Sequence, residues 1–140
     1  MESEKLQNRD LAVFWERINK LQGFTPETLS ILLSDTDDQT VLRILARFHE
    51  NLTQCSINVE AAISIKDSEP VWKAAHKVAS SAELLGFDFY GHLARELSIR
   101  IKANPDLNCY ESELREFIGE TKTLAQEIAA SCPNLNSYLV

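Results

Sequence analysis

Glycine and proline are scarce in this 140-residue chain, with four of each. Sandwiches and barrels need many tight turns, so the scarcity argues against an all-β fold. Cysteine is scarce too: Cys55, Cys109 and Cys132 are widely spaced and form no Cys-x-x-Cys pair. That argues against a disulfide framework or a zinc site and fits reduced, mostly packed thiols in a cytoplasmic chain. No run approaches the ~18 unbroken apolar residues of a membrane span, and Met1 opens a charged segment rather than a signal peptide. Positive charge is the third shortage. Fourteen Lys and Arg face 21 Asp and Glu, a net charge of −7. Phosphates and anionic lipid would be repelled, so neither nucleic acid nor a membrane is an expected partner.

Catalytic motifs are missing as well. The chain has no Glu-x-x-His or His-Glu-x-x-His pair, no glycine-rich phosphate loop and no nucleophile-elbow serine. No metal or cofactor of its own is expected. What is present is ordinary for a soluble domain: 44% hydrophobic and 25% charged residues, in a length that can bury its own core.

The apolar residues recur at helical spacing, and Pro26, Pro70, Pro105 and Pro133 stand at the edges of the periodic segments. A first helix is expected from about Leu6 to Gln22, with Leu11, Phe14, Trp15, Ile18 and Leu21 on one side. Thr25 reads as the cap of a short helix running from Pro26 to about Ser34. The longest helix follows the acidic residues Asp35, Asp37 and Asp38 and runs to about Ile65 on a stripe from Val41 to Ala62. Ser68-Glu69-Pro70 starts a fourth helix that Gly86 ends, and Asp88 reads as the cap of a fifth that stops before Asn104-Pro105. A last helix spans about Tyr110 to Ser131. Short connections between long helices predict an all-α fold, an antiparallel four-helix bundle over residues 37–140. Residues 1–36 would cover one end or flank of it within a single structural domain.

On the fourth helix Val71, Ala75, Val78, Ala82 and Leu85 form the inward stripe, and His76 falls about 125° from its centre. It shares the outer shoulder with Trp72, Ser80 and Glu83. Ala79 and Ser80, one turn further on, are small and would leave room for a large group to approach. A neutral imidazole is nucleophilic near pH 7, yet a lone surface histidine is more often only solvated. His49 reads as a boundary residue of the long helix, His92 as a solvated one, and Glu111, Glu113, Glu116 and Glu120 as a solvated face. Trp72 reads equally as core or as a partner anchor.

From about Asp37 to Ser131 the chain resembles the histidine-containing phosphotransfer (Hpt) domain family. That family carries Ala-His-x-Leu-Lys-Gly-Ser, then Leu-Gly five residues later. This chain has Ala75-His76, Val78 for the leucine, Ser81 for the serine, and Leu85-Gly86 at the same distance. Phe87, Tyr90, Ala94 and Leu97 fall on the family's next-helix positions, and Leu45, Phe48 and Leu52 on its preceding helix. The resemblance implies an Hpt-like four-helix bundle in which His76 exchanges a phosphoryl group with the aspartate of a response-regulator receiver domain. A hybrid sensor kinase is a further implied partner. Magnesium would sit on the receiver, and no autonomous kinase activity is expected because phosphate arrives already activated. A monomer is the favoured state.

The motif also departs from the family. Ala79 stands where the family has lysine, Ser80 where it has glycine, and Ser98 where many members have Glu or Gln. The resemblance implies that these positions handle phosphoryl charge, clear space and orient the ring, in that order. Lys73 and Lys77 flank His76 and could supply charge, Ser80 could hydrogen-bond the ring, and Trp72 and Glu83 would meet the partner. Two readings follow: a detuned relay, in which restoring lysine at 79 and glycine at 80 accelerates transfer, and a binding module that docks a receiver without transfer. An unrelated helical adaptor is the third.

Overall fold

The computed structural model describes residues 8–139. Among them are six α-helices: α1 (Arg9–Ile18), α2 (Pro26–Asp35), α3 (Asp38–Ser64), α4 (Ser68–Leu85), α5 (Asp88–Ala103) and α6 (Glu111–Ser131). Short 3-10 turns at Leu107–Tyr110 and Leu135–Tyr138 flank α6. The chain is all-helical there, and no helix is long and apolar enough to cross a membrane.

Local chemistry explains most of the boundaries. The Asp37 carboxylate accepts a bond from the Thr40 amide at 2.7 Å and opens α3. Asp67 does the same for α4 through the Glu69 amide. Gly86 ends α4 at φ 96°, in the left-handed region that costs glycine least. The first helix is shorter than its apolar spacing suggests, and the expected residues Leu6 and Gln7 lie outside the described part. It stops at Ile18 because the chain must turn so that Gly23, at φ 82°, can meet α5. A Cβ on Gly23 would lie 2.4 Å from that of Phe89.

Two expected caps work differently. Thr25 does not cap its own helix. Its hydroxyl instead donates to the Asp88 carboxylate in the first turn of α5. Asp88 is thereby the first residue of α5 rather than its cap, a position taken by Phe87. The same junction carries backbone bonds from the Thr25 amide to Gly86 O (2.8 Å) and from the Phe89 amide to Gly23 O (3.1 Å). Phe87 stacks on Phe48 of α3, with ring centroids 5.6 Å apart, and also meets Phe24.

α3 packs against α4 and α6, α4 against α5, and α5 against α6. The contact between α4 and α5 is the most extensive. α1 lies on α6, and α2 on α4 and α3. Leu11, Phe14, Ile18, Leu29 and Leu33 belong to the same apolar core as the longer helices. Most of the stripe residues read from the sequence are buried, while Trp15, Leu21, Ile44, Leu93 and Ile118 are only half-buried. Leu42, Ala46, Ala79 and Gly91 join the buried set. Within this core Tyr90 donates to Thr121 Oγ1 at 2.7 Å, and Thr121 donates to the Phe117 carbonyl at the same distance.

Candidate functional site

The outward face of α4 holds His76, exposed, with Ser80 one turn on and Glu83 a further turn on. Residues three or four apart on a helix share a face, which is why these three lie along one side of α4. The Ser80 hydroxyl lies 3.4 Å from the carbonyl of His76, so it donates to the backbone and not to the ring as expected.

Glu83 is drawn in from the other side. Its stem passes over Gly91 of α5, where a Cβ would sit 3.0 Å from Glu83 Cγ. Its two carboxylate oxygens each accept a bond from Arg95, from Nε at 2.8 Å and from Nη2 at 2.7 Å. Forked pairing of this kind is the strong geometry for guanidinium and carboxylate. The Arg95 hydrogen bond holds the Glu83 carboxyl below its usual range, and the charges of Arg95, His92 and His76 add to this. The same bond holds the Arg95 guanidinium above its own ordinary value. Arg95 Nη2 also reaches to 3.4 Å from Ser80 Oγ. A polar chain therefore leads from Glu83 through Arg95 and Ser80 to the backbone of His76.

The remaining expected site residues divide between the two flanks. Lys73 pairs with Glu69 at 2.7 Å. With Lys77 it lines a shallow groove shared with Asn58, Ala61 and Ile65, away from α5. Trp72 is half-buried against the core, and the Lys102 ammonium sits 4.8 Å over its ring. Its packing agrees with the core reading, and the Lys73 ammonium also lies 5.8 Å from the ring centroid.

Ala79 and Ser98 do not stand beside the imidazole as open positions. Ala79 is completely buried where α4 meets α5, so it leaves no free space for an approaching group. Ser98 is buried as well, at 4% exposure. The two flanks of His76 thus differ: a closed seam lies under Ala79, and a solvent-open shoulder carries Ser80, Glu83 and Arg95.

Sequence reasoning missed Arg95 and Gly91. The signal was there in the two-residue connection between Leu85 and Asp88. Counting outward from that turn brings Glu83 to the first turns of α5, where Arg95 is the first arginine or lysine. His49 is half-buried and His92 exposed, as their positions suggested. Cys55 and Cys132 are buried and Cys109 is exposed. Burial pushes the Cys55 thiol up to about 12 and the Cys132 thiol up to about 11, so neither is a nucleophile near neutral pH.

Comparison with known proteins yields no match: no family model, no curated protein and no solved structure matches this chain.

Proposed function

We propose that this protein is a phosphorelay intermediate of the Hpt kind, with α3, α4, α5 and α6 as an antiparallel four-helix bundle and α1 and α2 as a covering extension. His76 is the phosphoryl acceptor. The observation that carries the reading is an exposed imidazole on the outward face of α4, within an Hpt-like spacing from Ala75 to Gly86. Helix contacts that run from α3 to α4, α5, α6 and back to α3 agree with such a bundle.

In the proposed step, His76 Nε2 attacks the phosphorus of an aspartyl phosphate on a receiver domain. The N–P bond forms as the P–O bond to the aspartyl group breaks. The released carboxylate keeps the electron pair, and Nδ1 of His76 keeps its proton. Transfer of this kind passes through a loose, in-line transition state, so placement and neutralisation of charge matter most. The reverse step passes the group to a second receiver aspartate, with magnesium on the receiver.

A second reading is a module that binds a receiver and transfers nothing. The buried Ala79 favours it, because the family's lysine has no counterpart at that position. Incubation with phosphorylated receiver domains discriminates. The relay reading expects an acid-labile, base-stable adduct on the chain, absent from His76→Gln. Tight binding without labelling over hours supports the module, and binding to no receiver supports an unrelated adaptor.

A further inference from the structure

The charge that Ala79 cannot supply has another source on the same shoulder. Arg95 is two-thirds covered, with 34% of its side chain exposed, and its head group spans from Glu83 to Ser80. Ser80 stands one helical turn from His76, so the guanidinium approaches the histidine from the α5 side. At rest it is neutralised by Glu83, itself 42% exposed. The fork is nevertheless partly open to solvent on both sides, so an anion arriving at this shoulder can compete with Glu83 for the guanidinium. A phosphoryl group on His76 would bring a doubly negative, three-oxygen acceptor to the same shoulder, and guanidinium binds such groups through the same fork that it offers a carboxylate.

We propose that Arg95 is the positioning residue for a phosphoryl group on His76, kept in reserve by Glu83 and released to the phosphoryl oxygens when the group arrives. The idea rests on the reading that His76 carries phosphate. It assigns the neutralising cation to α5 rather than to α4. Gly91 belongs to the device because its missing Cβ lets the Glu83 stem cross the helix seam to reach Arg95. Arg95 makes or breaks no covalent bond in this scheme. It exchanges one anion for another.

The test uses the full chain and phosphoramidate, a small donor that needs no protein partner. Phosphorus NMR follows the signal that is missing from His76→Gln, and its shift is titrated with pH. In the parent, Arg95 should favour the doubly charged phosphoryl form and so lower the titration midpoint. Arg95→Ala should raise that midpoint by about half a pH unit, a threefold change in the ionisation constant, which is the size an exposed charge pair commonly gives. Arg95→Lys should fall between the two. Glu83→Gln should move the midpoint the other way, because the arginine then has no competing anion. Circular dichroism of each variant should match the parent.

An unchanged midpoint in Arg95→Ala would overturn the assignment, even if receivers label His76. Equal shifts in the alanine and lysine variants, together with lost helicity, would make Arg95 a packing residue and overturn it too. The relay reading fails on a different result: receivers that do not label the parent, whatever the midpoint does.

Discussion

Two parts of α4 obey opposite rules. At its C-terminal end, Gly86, Phe87, Gly23, Phe24 and Phe89 are locked together by backbone bonds, ring contacts and missing Cβ atoms. On its outward face, His76, Ser80 and Glu83 meet water, and Glu83 is tied to α5 through side chains alone. The first region fixes how α4 and α5 leave their shared turn, and so where Arg95 lies relative to His76. In the proposed scheme the second changes its partners without moving the helices. Rigid support beneath a solvent-open histidine suits the proposed transfer between proteins, since placement has to survive repeated docking.

The sharpest way to break this contrast is to push the outward chemistry into the locked region. Ala79→Lys places a long cationic chain in the seam between α4 and α5, at a position with no exposed surface. It should destabilise the fold by about 4 kcal/mol, since overpacking and desolvation of charge act together. Urea unfolding measures this, and an unchanged midpoint would show that the seam opens freely. The substitution that the family pattern recommends is therefore the one that this packing forbids.

Gly86→Ala is next in size. The new Cβ would meet the Thr25 carbonyl oxygen at 2.6 Å, in a left-handed conformation that alanine resists. A loss of about 2 kcal/mol in unfolding free energy is expected. Stability equal to the parent would mean that the junction does not set the end of α4.

A smaller effect concerns acid. The Glu83 carboxyl ionises below its ordinary value of 4.5 because Arg95 binds it. A carboxyl lowered in the folded state adds stability that is complete above its unfolded value and is lost as pH falls through the folded one. Stability should therefore fall below about pH 4.5, with Glu83 one of several carboxylates responsible. Glu69 and Asp37 are lowered in the same direction, by Lys73 and by the Thr40 amide in turn. In Glu83→Gln the acid limb should become slightly shallower. An identical limb would show that the Arg95 fork contributes nothing to folding.

The sequence carried the helices and their inward stripes well, because periodicity and capping chemistry are local. The ends of α3, α4, α5 and α6 came within about a residue for that reason. The end of α1 did not, since Gly23 and Phe89 meet across 66 residues and no local signal records it. Thr25 misled for the same cause: its nearest helix offers a cap position, but its hydroxyl finds Asp88. At the site, the wheel placed His76, Ser80 and Glu83 on one face correctly. It could not place Ala79, which lies about 60° round the helix from His76 and faces either water or α5 depending on where α5 packs. Arg95 was invisible for the mirrored reason, because its part depends on which turn of α5 faces Glu83.

The central claim is that the face of α4 carries chemistry that the fold does not depend on. His76→Gln tests it in one variant with two readings: transfer of label from a phosphorylated receiver domain, and the midpoint of urea unfolding. The account predicts complete loss of label with an unfolding midpoint indistinguishable from the parent. Label retained on the variant would contradict it, and so would label lost together with the fold.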